Sequence, residues 1–110
     1  MAASHSVDGL RYAIKEESAF RQELLLGALM APWVFYFSLA LSERVLLLGS
    51  IALVWIVELI NSGIEATVDR ISFQNHSLSK RAKDYGSAAV LVALIFCGIT
   101  WATLLIPRVF

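Results

Sequence analysis

Three stretches of the chain are apolar over the length of a membrane crossing. Leu24–Leu41 is 18 residues with no charged side chain, Gly86–Ile106 is 21 with none, and Val45–Ile64 is 20 with one, Glu58. At about 1.5 Å per residue, each reaches across about 30 Å of hydrocarbon. The pattern predicts an all-α membrane protein, one domain over 1–110, with transmembrane helices at 24–41, 45–64 and 86–106. Ahead of these runs, Val7–Glu23 is too polar to span. Its residues Leu10, Ile14, Glu17, Arg21 and Leu24 recur at steps of 4, 3, 4 and 3, which predicts an amphipathic surface helix over 7–23. Glu17 and Arg21 interrupt its apolar face, either as a snorkelling or locally paired couple or as a carboxylate turned into the bundle. Ser42-Glu43-Arg44 reads as the tight turn between the first two spans, and 65–85 as a polar cytoplasmic segment. Pro32 falls inside the first span, where a kink is tolerable, and Pro107 ends the third.

Composition agrees with the pattern and narrows the function. Hydrophobic residues make up 58% and charged ones 16% of the chain, against about 45–50% and about 25% in soluble domains. About 23 mixed residues precede the first long run, so that run is a retained span and not a secretory signal. The lone Cys97, inside the third run, offers neither an internal disulfide nor a metal cluster and reads as a packing residue. Net charge is zero, with no basic run outside the spans, which excludes a nucleic-acid footprint. Arg11, Lys15, Arg21, Arg70, Lys80, Arg81 and Lys83 lie on one side of the predicted topology, and Arg44 and Arg108 on the other. Basic segments stay in the cytoplasm, so the N-terminus is predicted inside and the C-terminus outside. Trp33, Trp55 and Trp101 read equally as interfacial or as packing aromatics.

The chemistry is concentrated in Glu58-Leu-Ile-Asn61-Ser-Gly-Ile-Glu65-Ala-Thr-Val-Asp69-Arg70. At about 100° per residue, Glu65 and Asp69 fall about 20° to either side of Glu58, and Asn61 about 60° away. The result is a narrow acidic stripe running from the inner interface at Asp69 to Glu58, about 16 Å deeper. Ionisable groups inside a bilayer are costly and mark function by default. Asn61 taken alone is as readily interhelical hydrogen-bond glue. Stacked carboxylates repel, however, and call for a positive partner. Two are on offer: the side chains of the loop Lys80-Arg81-Ala-Lys83-Asp84 folding back, or a divalent cation such as Mg²⁺, which prefers hard oxygen ligands. Depth divides the roles. Desolvation makes the charged form of Glu58 costly and suits it to accept a proton as a general base. Glu65, nearer the water, is placed to hold metal.

These residues, followed by Leu78-Ser-Lys-Arg81-Ala82-Lys83-Asp84-Tyr-Gly86-Ser87-Ala88-Ala89-Val90, closely resemble the prokaryotic integral-membrane diacylglycerol kinases. Glu17-Ser-Ala19-Phe20-Arg21-Gln22-Glu23 is similar to that family's pattern at the end of its surface helix. The resemblance runs from about Gly9 into the last span. It implies a homotrimer in the bacterial inner membrane, with active sites shared between subunits. The implied reaction is transfer of the ATP γ-phosphate to diacylglycerol, giving phosphatidic acid. Carried over to this chain, Glu58 matches the catalytic base, and Glu17 and Glu65 match carboxylates that bind Mg²⁺. Asp69, Lys83 and Asp84 match nucleotide- and phosphate-binding residues, with His76 near the nucleotide base. Asn61, Arg21, Glu23 and Ser87 match residues lining the substrate site. A shared site would explain Glu17 on an apolar face, because it would meet the stripe of a neighbour. The segment before Gly9 is shorter than in the best-known members, and Lys80 stands where a glycine is common. The first implies that nucleotide contacts supplied there have no counterpart, and the second alters the loop's path.

No G-x-x-x-x-G-K-[ST] loop and no soluble-kinase signature set occurs in the chain. Two other functions share some of these features. An undecaprenol kinase would carry the same acidic stripe, although Arg81-Ala-Lys-Asp-Tyr-Gly-Ser87 is spelled more like the diacylglycerol group. A small proton-coupled multidrug transporter also uses an intramembrane glutamate. It has four spans with that acid in the first, whereas the first span here has none.

Overall fold

The computed structural model describes residues 2–71 and 77–110. It is all-helical, with α1 over Ala2–Glu16, α2 over Ser18–Tyr36, α3 over Leu41–Ile71 and α4 over Ser77–Val109. Two of these helices, α3 and α4, are long and apolar enough to cross a membrane. A buried core helix of a soluble protein would also be apolar, but only 11% of the most apolar stretch of α4 is buried. Leu91, Val92, Ile95 and Ile99 face outward on it. α2 carries Arg21 and Glu23 in its first turns and is uncharged only from Leu24 onward.

Helix ends differ from the expected spans, each for a local reason. The surface helix predicted over 7–23 is divided at Glu17, whose backbone is extended (φ −111°, ψ 106°). The Arg21 guanidinium donates to the carbonyl oxygens of Ile14 (2.9 Å) and Lys15 (3.0 Å). It thereby satisfies acceptors that the end of α1 leaves open. Side-chain periodicity does not register a break of one residue. The turn between α2 and α3 is Phe37–Ala40, not Ser42-Glu43-Arg44. Glu43 accepts the Ala40 N–H (2.8 Å), the reach-back contact of a capping box, and this places Ser42–Arg44 in the first turn of α3. Arg44 donates from there to the Val34 (3.2 Å) and Phe37 (3.3 Å) carbonyls. The polar segment 65–85 is helical as far as Ile71 and again from Ser77, since a helix need not stop where its apolar run stops. Pro107 lies within α4 and does not end it.

α3 is the central element, packed against α4 most extensively and against α2 on its other side. Val34, Leu39 and Leu47 form the core at one end, with Trp101, Leu104 and Leu105 around them. Trp101 Nε1 donates to Ser50 Oγ (3.1 Å) and to the Leu47 carbonyl (3.2 Å), which settles this tryptophan as a packing residue. Trp55 is another, donating to the Glu23 carbonyl (2.9 Å). Trp33 is half exposed and stacks with Tyr36 and Phe37 at the end of α2. Cys97 packs against Ser50 (3.4 Å).

The end of the molecule with the α2–α3 turn is tied by one carboxylate. Besides capping Ala40, Glu43 pairs with Arg108 (3.0 Å), which also donates to the Ser38 carbonyl (3.3 Å). Glu43 lies outside the apolar run of α3. The Ala40 N–H, and after it Arg108, hold its carboxyl below the ordinary value of 4.5. A carboxyl depressed by folding contributes stability above its unfolded value and loses it as pH falls through the folded one. We therefore expect the melting temperature to fall more steeply below pH 4.5 in the native chain than in Glu43→Gln. Parallel pH profiles for the two proteins would show that this carboxylate does not bind the turn.

Candidate functional site

α3 positions the stripe, and the two helices beside it complete the site. Glu58 is buried, with 6% of its surface exposed, whereas Asn61 is half-buried and Glu65 and Asp69 are exposed. Asn61 Nδ2 donates to Glu65 Oε1 one turn on (2.9 Å), so the carboxamide bonds within its own helix. The Asn61 side chain lies against Gly86 of α4, and its Oδ1 is buried without a hydrogen-bond partner among the described residues.

Part of the counter-charge comes from the basic segment. Lys83 Nζ crosses from α4 to Asp69 Oδ1 (2.6 Å). That hydrogen bond holds the Lys83 ammonium above the ordinary lysine range. Lys80 does not reach the stripe, and pairs along its own helix with Asp84 (2.7 Å). Among the described residues, no cation pairs with the deeper part of the stripe. Glu23, Glu65 and Glu17 all lie close enough to Glu58 for their charges to act on it. None of these four carboxylates forms an ion pair among the described residues.

The predicted site residues thus divide. Glu17, Glu23, Glu58, Asn61 and Glu65 are brought together, with Asp69 and Lys83 at the rim. Arg21 is engaged in closing α1, and Ser87 is exposed on α4 beyond Gly86. His76 lies outside the described residues. Glu23 is held by the Trp55 indole on its backbone carbonyl. This contact joins residues 32 apart in sequence, and helical periodicity carries no trace of it. The role of Gly86 was equally hidden.

Mg²⁺ usually takes one or two carboxylates together with water and substrate phosphates, not a closed protein cage. No three His, Cys, Asp or Glu side chains among the described residues come close enough to cage an ion. Glu17 and Glu65 carry no ion pair among the described residues, which fits a metal that arrives with a phosphate ligand. Two hollows adjoin the carboxylates. A groove of about 760 Å³ between α1 and α3 is edged by Glu16 and Glu17 and floored by Leu59, Ser62 and Gly63. An apolar cavity of about 180 Å³ among α2, α3 and α4 has Glu23 at its margin and Gly27, Ile51 and Trp55 on its wall.

Residues 4–105 match the family model described as prokaryotic diacylglycerol kinase. The diacylglycerol kinase of Escherichia coli strain K12 is 52% identical over 107 residues, covering 94% of this chain and 85% of that protein. The Pseudomonas aeruginosa diacylglycerol kinase is 48% identical over 105 residues, covering 96% and 85%. The Haemophilus influenzae diacylglycerol kinase is 42% identical over 104 residues, covering 94% and 88%. With a family model spanning most of its length and relatives at this identity, the chain belongs to the prokaryotic diacylglycerol kinase family.

Proposed function

We propose that the chain transfers the γ-phosphate of ATP to the free hydroxyl of diacylglycerol, giving phosphatidic acid and ADP, with Glu58 as general base. The observation that carries this reading is a buried Glu58 with Asn61 and Glu65 bonded to each other one and two turns along α3, and no ion pair to either acid among the described residues. Phosphoryl transfer requires little beyond positioning, charge neutralisation and an activated nucleophile. Glu58 accepts the proton of the lipid hydroxyl as its oxygen bonds to the γ-phosphorus and the bond to the ADP oxygen breaks. Glu17 and Glu65 would hold Mg²⁺, which supplies neutralisation of charge on the phosphate oxygens. Lys83 binds a phosphate oxygen by exchanging its contact with Asp69, while Asp69, Asp84 and His76 complete the nucleotide side. Asn61, Glu23, Arg21 and Ser87 line or support the lipid side. The apolar cavity beside Glu23 suits the chain end of a glyceride, and supports a lipid over a soluble alcohol.

The same reading has three spans in the inner membrane, α2 being the first, with the N-terminus in the cytoplasm and a homotrimer as the working form. The support is that α1 buries only Ala13 and leaves Leu10 and Ile14 exposed, as a helix docked on a membrane or a neighbour would in isolation. The Glu17 carboxylate makes no hydrogen bond or ion pair among the described residues and edges the open groove, where a neighbour's stripe can meet it.

The deciding assay is ATP-dependent phosphorylation of diacylglycerol in mixed micelles, with undecaprenol as the competing alcohol. Glu58→Gln keeps the side-chain shape and cannot take the proton, so turnover should fall by about 10²–10⁴-fold with ATP binding within a few fold. Retention of more than about a tenth of the rate, well short of that range, would remove Glu58 as the base. Glu17→Ala and Glu65→Ala should each raise the Mg²⁺ concentration for half-maximal rate, since each removes an anionic oxygen ligand. Unchanged Mg²⁺ dependence in both variants would move the metal to Asp69. Finally, Glu17→Ala and Glu58→Gln subunits, each inactive alone, should regain a sizeable fraction of the rate when co-assembled. No recovery in verified mixed trimers would assign Glu17 to the site of its own chain.

A further inference from the structure

Gly86 is the glycine of this chain whose missing side chain is filled by a polar group. A Cβ at Gly27 would meet Ile51 Cγ2 (2.6 Å) and Trp55 Cζ2 (2.7 Å), which is hydrophobic packing of α2 on α3. At Gly9, Gly49, Gly63 and Gly98 a Cβ would meet nothing within 4 Å. At Gly86 the three nearest atoms all belong to the Asn61 side chain: a Cβ would collide with Oδ1 and lie 3.0 Å from Cγ and 3.7 Å from Asn61 Cβ. Close helix approach alone would bring the α3 backbone or several neighbours to this point. One carboxamide comes instead.

The orientation of that carboxamide has a cost that its packing does not offset. Its Oδ1 is buried against α4 without a hydrogen-bond partner among the described residues. A buried unsatisfied amide oxygen costs about 1–3 kcal/mol. Turning the side chain outward would relieve that cost, but would surrender the bond from Nδ2 to Glu65 Oε1 (2.9 Å). The arrangement keeps the amide group in place, with one end seated in the space over Gly86 and the other on a carboxylate of the proposed metal pair.

We propose that Gly86 is a positioning residue: it provides the seat from which Asn61 holds the Glu65 carboxylate toward the metal. This rests on the assignment of Glu65 under the proposed function. A Cβ at 86 expels the carboxamide and frees Glu65 to rotate, with no loss of a side chain that touches ATP, lipid or metal.

The test uses Mn²⁺ as a paramagnetic stand-in for Mg²⁺. It is titrated by EPR into the full-length protein in detergent micelles with a non-hydrolysable ATP analogue, with Mg²⁺ activation of the kinase measured in parallel. Asn61→Ala should weaken Mn²⁺ binding about 10-fold, the lower end for residues that orient a metal ligand. Gly86→Ala should weaken it comparably, and Asn61→Ala/Gly86→Ala should be no weaker than Asn61→Ala alone. Independent, multiplying effects of the two substitutions would reduce Gly86 to helix packing and overturn the proposal. So would unchanged Mn²⁺ affinity in Gly86→Ala while Glu65→Ala and Asn61→Ala weaken it. If Glu65→Ala itself leaves Mn²⁺ affinity unchanged, the metal assignment fails, and melting temperatures still decide whether Gly86 seats Asn61. The double variant must then melt above Gly86→Ala alone, because the collision is gone. A double variant that melts no higher, or does not fold, overturns the seat.

Discussion

The structure depends on sheltering one carboxylate, Glu58, inside an otherwise apolar helix pair. An acid at the centre of a membrane helix costs about 2.5–3.5 kcal/mol on insertion scales. It is kept only where neighbouring helices close around it. α3 packs against both α2 and α4, and it carries Glu58. The closure is made by two glycines in register with that residue. Gly27 admits α2 against Ile51 and Trp55, one turn before Glu58, and Gly86 admits α4 against Asn61, one turn after it. Trp55, Glu58 and Asn61 lie three residues apart on one face. The burial of the acid follows from what is missing on the facing helices as much as from what α3 presents.

That arrangement explains which parts could be read from the sequence. The acidic stripe was legible because its regularity lies within one helix, where a period of 3.6 converts spacing directly into direction. The apolar runs were legible for a similar reason, since length and absence of charge are properties of a segment. Features made by side chains that return to the backbone were not. Arg21 closing α1 at Glu17 and Glu43 capping α3 both moved an element boundary, and each involves residues that read equally well as ordinary polar positions. Contacts between helices were the least visible. Lys83 to Asp69 was one of two open options for neutralising the stripe, and the seat of Asn61 on Gly86 had no periodic signal at all.

The two ends of the bundle are held differently. At the α2–α3 turn, Arg44, Glu43 and Arg108 engage the carbonyls of Val34, Phe37 and Ser38 and the N–H of Ala40, beside a core containing Val34, Leu39 and Leu47. At the opposite end, one salt bridge with an exposed carboxylate, Lys83 to Asp69, joins α3 and α4, and α1 stands away from α3 across a groove of about 760 Å³. Exposed ion pairs contribute about 0–1 kcal/mol. Among the described residues, the α2–α3 end is therefore the more extensively tied of the two.

A chain of 110 residues can therefore host phosphoryl transfer without a phosphate-cradling loop. Soluble kinases surround both reactants and must build walls for each. Under the mechanism proposed above, the bilayer already confines and orients the lipid alcohol at the depth of the helix ends. What remains for the protein is a base at that depth, anionic oxygens for a metal brought by the nucleotide, and a cation for a phosphate. In that mechanism Glu58, the Glu17–Glu65 pair and Lys83 would be those three parts, and Glu58 and Glu65 lie on α3 within two helical turns of each other. The spacing of Glu58 and Glu65 is set by the rise and twist of one helix. The close approaches at Gly27 and Gly86 set where α2 and α4 stand against it.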